Sequence, residues 1–174
     1  MLHKKLDIVA KSKYYDYIII DSWGSTGAVT EMATLAAKDY TLCPTLPEKL
    51  SAYELLRNTL GLFDELEDLA TFGGLSIAKP QIIFNSVTRT RDAYQIISYL
   101  ENHYHDKVSF VPVRIPRRTA FTVAASHHVS VDAIETPREI RKDNSATAAI
   151  CNLIIELDST LAPIIYRQIL KVAA

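Results

Sequence analysis

The chain is 174 residues long, with 48% hydrophobic and 22% charged residues and a formal net charge of −1. These are ordinary globular proportions for a chain of about one domain with a substantial core, and the net charge by itself indicates neither a nucleic acid nor a membrane as partner. No apolar run reaches the roughly 18 residues of a membrane span, and the first residues form no signal-peptide core, so we expect a soluble, cytoplasmic protein with no membrane partner.

Charge and cysteine usage vary along the chain. Residues 1–78 carry seven Lys or Arg against eleven Asp or Glu, and residues 79–174 carry twelve against nine, so the basic excess lies in the second half. Cys43 lies in a strand candidate and Cys151 in a helix candidate, without a CxxC pattern. This usage favours two core thiols in a reducing compartment.

The first elements in the chain are a short helix and an apolar run. Residues 1–13 mix apolar residues with lysines and predict an amphipathic helix. Residues 15–21 read Tyr-Asp-Tyr-Ile-Ile-Ile-Asp, which predicts a strand buried on both faces. Asp21 would then stand at the carboxyl edge of a sheet, where open α/β sheets bind ligands and where a carboxylate suits Mg²⁺. The alternative is an Asp21 that only caps the following turn.

The rest of the chain alternates between strand and helix patterns. Ser51 and Glu54 have the spacing of a capping box, and Thr90 or Asp92 has the character of an N-cap. Strands are predicted over residues 40–44, 81–85 and 108–111, and helices over residues 29–38, 51–70, 92–103, 117–125 and 145–157. Pro137 is expected to interrupt any helix near it, and Pro163 to separate the last helix from a terminal turn. Such alternation predicts βαβ units, a parallel sheet and a single α/β domain over residues 1–174.

Several short segments carry a family resemblance. Residues 21–30 read Asp-Ser-Trp-Gly-Ser-Thr-Gly-Ala-Val-Thr, and further matching segments follow at residues 36–39, 42–44, 47–51, 82–85 and 115–121. In this order they resemble the Walker B strand end and later segments of the ParA/MinD family of partition and positioning ATPases, over roughly residues 14–160. The resemblance implies a P-loop NTPase fold of the deviant Walker A type, with a parallel sheet flanked by helices.

The chain also departs from the family pattern. Trp23 and Gly24 replace the usual Pro-Pro, Met32 stands where Asn is common, and His128 occupies a position often taken by Gly. No Gly is followed by Lys, so the N-terminal P-loop unit that cradles phosphate is missing from these residues. Two explanations are open: Met1 begins a truncated or split copy, or an upstream region precedes it.

The resemblance implies a nucleotide site. Asp21 would be the catalytic carboxylate and would hold Mg²⁺ through water, and Gly24 and Gly27 would belong to the loop that senses the γ-phosphate of ATP. Asn85 and the backbone around Pro116 would contact adenine, since an amide offers both a donor and an acceptor to a base edge. The alternative for Asn85 is a strand-end residue that serves a turn. Without a P-loop lysine, the chain alone is expected to bind ATP poorly and to hydrolyse it negligibly.

The resemblance also implies partners. Family members form ATP-sandwiched homodimers that bind DNA non-specifically at the nucleoid and respond to a ParB-like or adaptor protein. The candidate DNA-binding residues are basic residues of the second half: Arg117, Arg118, Arg138, Arg141, Lys142, Arg167 and Lys171. Two alternatives remain, a catalytically inactive ParA-like module that binds DNA or protein without the P-loop, and a synthase-type relative of the same fold.

Overall fold

The described residues fold around a small parallel sheet. The computed structural model describes residues 2–22, 27–73, 77–142 and 144–173. Strands β1 (Thr41–Thr45), β2 (Pro80–Phe84) and β3 (Ser109–Phe110) form a parallel sheet in the order β1-β2-β3. Cys43 lies opposite Ile82 in the β1–β2 pair. The predicted α/β class with a parallel sheet is confirmed.

Helices flank this sheet and connect its strands. They are α1 (Leu2–Lys11), α2 (Ala28–Ala36), α3 (Lys49–Glu54), α4 (Leu60–Phe72), α5 (Arg91–Tyr104), α6 (Thr119–His127), α7 (Pro137–Ile140), α8 (Ala146–Leu157) and α9 (Ala162–Ala173). A π-helical turn, Leu55–Thr59, joins α3 to α4, and 3₁₀ turns span Val131–Ala133 and Ser159–Leu161. Most of the predicted helices are confirmed, with ends shifted by a few residues.

The core lies around the middle strand. Ile82 is 0% exposed, and the Phe84 ring stacks on Phe110 with ring centroids 5.8 Å apart. Ile97 and Leu100 of α5 belong to the same buried cluster, together with residues of α3 and α4. An unbroken apolar run suits β2 because the middle strand of a parallel sheet is covered on both faces.

Both cysteines are free thiols. Cys43 lies on β1 and Cys151 on α8, and both are half-buried. Burial raises the pKa of Cys43 to about 11 and also raises the pKa of Cys151, which a nearby Asp132 carboxylate raises further. Both thiols therefore stay protonated near neutral pH, as inert packing residues do.

The strand predicted over residues 15–21 is wrong. This segment is extended, but no ladder hydrogen bond joins it to another described residue, and Ile19 is 90% exposed. Its contact with the rest of the chain includes a hydrogen bond from the Tyr17 hydroxyl to the Asp158 carboxylate. A β-branched run becomes a strand only where a neighbouring edge pairs with it and a layer covers it, and here it has neither.

The first turn of α3 also differs from the prediction. The helix begins at Lys49, after Glu48, and no side chain caps its first turn. Ser51 lies inside the helix, so the predicted capping box with Glu54 is wrong. The spacing alone misplaced the N-cap by three residues, because the backbone already adopts helical geometry before Ser51.

Two prolines lie in the first turns of helices, where interruptions were predicted. Pro137 is the first residue of α7, where Thr136 and Glu139 form a capping box: the Thr136 N–H donates to Glu139 Oε2 at 2.9 Å. Pro163 lies in the first turn of α9, which runs on where only a terminal turn was predicted. Proline is compatible with the first helical turn because its missing N–H would have no intrahelical partner there.

Thr90→Ala is expected to lower the free energy of unfolding by about 1 kcal/mol, the usual cost of losing an N-cap. The Thr90 hydroxyl accepts a hydrogen bond from the Ala93 N–H at 3.4 Å at the start of α5. Ser98→Ala on the exposed face of the same helix is the control, with an expected change below about 0.5 kcal/mol. Urea denaturation of both variants checks this, and equal effects would contradict the capping role.

Candidate functional site

The carboxyl edge of the sheet brings two predicted site residues together. Asn85 follows β2, and its N–H donates to the Thr45 carbonyl at 2.8 Å. Two residues further on, Val87 forms an isolated parallel bridge with Pro116. In that bridge the Val87 N–H donates to the Ile115 carbonyl at 2.9 Å. Asn85 and the backbone around Pro116 therefore lie at the same edge, where open α/β sheets bind ligands.

The Asn85 side chain is held in a defined orientation. Its Oδ1 accepts a hydrogen bond from the Ser86 N–H at 2.8 Å, so Asn85 does serve a turn. Ser86 has a φ of 54°, a left-handed conformation that costs a non-glycine residue about 1 kcal/mol or more. The Asn85 Nδ2 group has no partner among the described residues and is exposed. This amide can still donate two hydrogen bonds and accept one through its second lone pair.

The predicted phosphate-side residues precede α2 in the sequence. Asp21 is exposed on the extended segment that precedes α2, and no described contact joins it to Asn85 or Pro116. Gly24 lies outside the described residues. Gly27 is the N-cap of α2, with no side-chain cap on that helix.

A polar groove of about 350 Å³ opens beside Gly27. Its other walls include Glu31 of α2, Arg57 of the π-helical turn, and Glu65 of α4. The two carboxylates make this groove unsuitable for a phosphate group, because like charges repel. Gly27 therefore lies beside a groove of mixed charge.

The residues present fit one end of ATP better than the other. At the sheet edge, Asn85 offers the donor and acceptor that an adenine edge requires. At the phosphate end, no Gly is followed by Lys in the sequence. Among the described residues there is also no cluster of three or more His, Cys, Asp or Glu that could hold a metal ion. Asp21 would supply Mg²⁺ with a single water-mediated carboxylate ligand.

The predicted DNA-binding residues divide into two places. Arg117 is exposed beside the sheet edge, where its N–H donates to the Val87 carbonyl at 3.0 Å. The second place is α7 and its packing partner α9. The exposed basic residues there are Arg138 on α7, Arg141 and Lys142 immediately after α7, and Arg167 on α9. Lys171 also lies on α9, but its side chain is outside the described residues.

Arg118 has a different role from its neighbour. Its guanidinium is partly buried and lies 3.9 Å from the carboxylate of Glu135. A positive charge that faces a buried carboxylate is less available to a phosphate than an exposed one. The structure thus ties Arg118 to the packing of the chain itself.

Glu135 is a buried carboxylate that the sequence analysis missed. It is 5% exposed and accepts hydrogen bonds from the Ser145 hydroxyl at 2.7 Å, the Ala146 N–H at 2.9 Å and the Thr147 N–H at 2.8 Å. It therefore occupies the N-terminus of α8, where the helix dipole favours a negative charge. Burial opposes ionisation, but the hydrogen bonds outweigh burial and hold the pKa of Glu135 below its ordinary value. No local signal indicates this contact, because it joins positions ten or more residues apart.

Comparison with known proteins adds no family assignment. No protein-family model matches the chain, and no curated protein matches it. Within the part of the chain that the structure describes, no helix has the length and apolar character of a membrane span. The likeness to partition ATPases therefore stays a prediction from short motifs in order.

Proposed function

We propose that this chain is the carboxyl-terminal part of a ParA-type Mg²⁺-dependent ATPase that partitions DNA or positions another cargo. The phosphate-binding unit of its P-loop NTPase fold is not among these 174 residues. One observation carries the proposal: Asn85 and the backbone around Pro116 meet at the carboxyl edge of a parallel sheet. This edge is the general ligand-binding position of open α/β sheets.

In this proposal the chain supplies the adenine end of the site. The Asn85 amide donates to the base and accepts from it, and the turn at Ser86 fixes the direction of that amide. ATP, when bound, would join two protomers into a DNA-binding homodimer at the nucleoid, with a ParB-like or adaptor protein as regulator. The residues of this chain provide no phosphoryl-transfer step by themselves, because the groups that stabilise transferred charge are not among them.

The α7 and α9 residues are the better candidates for DNA contact. Exposed basic residues on α7, just after it and on α9, which packs against α7, can neutralise phosphates and release counterions. Arg118, in contrast, is directed at Glu135. The proposed DNA surface therefore consists of Arg138, Arg141, Lys142 and Arg167, with Arg117 at a second place.

The alternative is a catalytically inactive ParA-like module that binds DNA or protein without nucleotide. It is favoured by the lack of a Gly-Lys pair in these 174 residues and by the exposure of Asp21 on a segment that forms no strand. The basic surface on α7 and α9 does not depend on the sheet edge, so it can act without ATP.

Fluorescence anisotropy with a short DNA duplex at several salt concentrations tests the proposed DNA surface. The logarithm of the association constant is expected to fall linearly with the logarithm of the salt concentration. Arg141→Ala is expected to reduce the magnitude of this slope by about 0.9, the effect of one lost phosphate contact. Arg114→Ala is the matched control, because Arg114 already pairs with Glu101 at 3.1 Å. It should leave the slope unchanged. Salt-insensitive binding, or no binding, would overturn DNA as the partner.

The same assay with millimolar Mg²⁺-ATP separates the two functions. If the chain belongs to an ATPase, nucleotide should tighten DNA binding and Asn85→Ala should remove this effect. The Asn85 change should not alter binding without nucleotide, because an uncharged amide neutralises no phosphate. Equal DNA binding with and without ATP would favour the nucleotide-independent module.

A further inference from the structure

The polar groove beside Gly27 lies between two helical walls. Its volume of about 350 Å³ falls in the range of small-molecule sites. One wall is the start of α2, where Gly27 and Glu31 are one helical turn apart, and α2 packs against α4. The other wall is the continuous helical run from α3 to α4, from which Arg57, Gly61 and Glu65 line the groove at four-residue intervals. The groups of the two walls therefore meet in the same space.

Gly61 lines this groove without a packing reason to be glycine. It lies inside the helical run that continues from the π-helical turn into α4, where glycine is less favourable than alanine. A Cβ built on Gly61 would meet no atom within 4 Å beyond its chain neighbours and the backbone of its own helix. The missing side chain therefore relieves no crowding, and its effect is to keep the groove open.

The π-helical turn is a second unusual feature of the same wall. This turn, Leu55–Thr59, supplies Arg57 and Asn58 to the lining of the groove. Single π turns are rare within helices and occur frequently at functional sites. The glycine and the π turn are two departures from ordinary helical structure that lie against one groove, and such departures are expected where a protein binds a ligand.

The charged groups of the groove have no partners among the described residues. The side chains of Glu31, Arg57 and Glu65 form no ion pair within the described ranges. The Asn58 amide, in contrast, donates to the Glu54 carboxylate. The groove thus offers a ligand two carboxylates and one guanidinium. The complementary ligand carries two cationic groups and one carboxylate, which is the charge pattern of a basic α-amino acid.

Other small ligands match these charges less well. A phosphate would face the two carboxylates, and a polyamine would place a cation against Arg57. A neutral α-amino acid has one cationic group, so it would leave one of the two carboxylates unpaired.

The length of the groove wall also suits a basic amino acid. Arg57 and Glu65 are eight residues apart, which corresponds to about 12 Å along a helix axis. Both side chains are long, so together with an extended ligand they can span this distance. The methylene chain of the ligand would lie over Gly61, where a side chain would otherwise stand, and beside the half-buried Leu62.

We propose that this groove binds a free basic α-amino acid of the arginine or lysine class. Arg57 pairs with its α-carboxylate, Glu31 and Glu65 pair with its α-ammonium and side-chain cation, and Gly61 leaves room for the methylene chain. A guanidinium binds a carboxylate through two parallel hydrogen bonds, so Arg57 also fixes the orientation of the ligand. The proposal goes beyond the ATPase proposal and uses none of the groups at the sheet edge.

Titration of the isotope-labelled chain with L-arginine, followed by two-dimensional amide NMR at constant ionic strength, tests the site. The chain has five glycines, so the amides of Gly27 and Gly61 can be followed individually. Saturable shifts of both amides are expected. The dissociation constant should be on the order of 1 mM, because ion pairs of exposed side chains are weak.

Two variants test the walls of the groove. Glu65→Gln should weaken L-arginine binding by about threefold, the effect of one exposed ion pair. Glu67→Gln is the matched control, because Glu67 is exposed on the same helix outside the groove lining, and it should bind like the original chain. Gly61→Leu should remove the saturable shifts without lowering the thermal unfolding temperature, because its Cβ meets no neighbour and leucine favours a helix.

Two analogues of L-arginine test the ligand groups. Agmatine lacks the carboxylate and L-citrulline lacks the side-chain cation, so each should bind about threefold more weakly. Arg57→Gln should weaken the binding of L-arginine but not that of agmatine, because agmatine has no group that pairs with Arg57.

Three outcomes would overturn the proposal. They are the absence of saturable shifts at Gly27 and Gly61, equal binding of agmatine and L-arginine, and equal binding by all variants. If Gly61→Leu does not fold, the comparison of Glu65→Gln with Glu67→Gln decides the result, because both side chains are exposed. None of these readouts involves nucleotide or DNA, so their failure leaves the ATPase proposal untouched, and the converse also holds.

Discussion

Ile82→Ala is expected to lower the free energy of unfolding by about 3 kcal/mol, whereas Ile19→Ala is expected to change it by less than about 0.5 kcal/mol. Both substitutions remove the same atoms from an isoleucine-rich run. Ile82 is 0% exposed on the middle strand, and its truncation leaves a cavity in the buried cluster. Ile19 projects into solvent, so its truncation leaves no cavity.

Urea denaturation of both variants measures this difference directly. The slope of the transition should stay constant, which would show that only stability has changed. A loss of 2 kcal/mol or more in Ile19→Ala, of the size seen for buried aliphatic side chains, would mean that residues 15–21 pack into a core in solution. In that case the sequence-based strand would be right and the exposed arrangement wrong.

Glu135→Ala is expected to destabilise the chain by about 3 kcal/mol. The substitution leaves the Ser145 hydroxyl and the Ala146 and Thr147 N–H groups without their acceptor at a buried helix start. It also leaves Arg118 without its nearest carboxylate. Glu156→Ala, at an exposed position of α8, is the control and should cost less than about 0.5 kcal/mol. Similar losses in both variants would contradict the capping role of Glu135.

The stabilisation by Glu135 should also depend on pH. The folded-state pKa of this carboxyl lies below its ordinary value, so its contribution is present above that ordinary value, near 4.5, and is lost as pH falls through the folded-state pKa. The difference in unfolding free energy between the original chain and Glu135→Gln should therefore be constant above about pH 6 and shrink in acid. Denaturation at several pH values measures it. A difference that stays constant into acid would mean that Glu135 is not stabilised as an anion.

Elements with local signals were predictable from sequence. The Thr90 cap, the Ser145 cap and the buried run of β2 each depend on residues a few positions apart, and all three are present in the structure. The two prolines were misjudged because proline both ends and begins helices. A proline by itself does not show whether it ends or begins a helix. For Pro137, the capping box of Thr136 and Glu139 is the local signal that a helix begins.

The candidate site was only partly predictable. Polar residues after apolar runs indicated the sheet edge, and Asn85 and Pro116 do meet there. Asp21 follows a similar apolar run, but that run forms no strand, and Asp21 is exposed on the extended segment. Glu135 gave no signal, since its partners lie on a helix that begins ten residues later.

The amino-acid sequence by itself determined the class of the fold, the helical faces and the position of the middle strand, because hydrophobic period and caps act over a few residues. Only the tertiary structure decided which of two similar apolar runs becomes a strand. A strand is stabilised by a neighbouring edge and a covering layer, and these come from residues far away in sequence. Residues 80–84 have both, whereas residues 15–21 pair with no edge among the described residues and lie exposed.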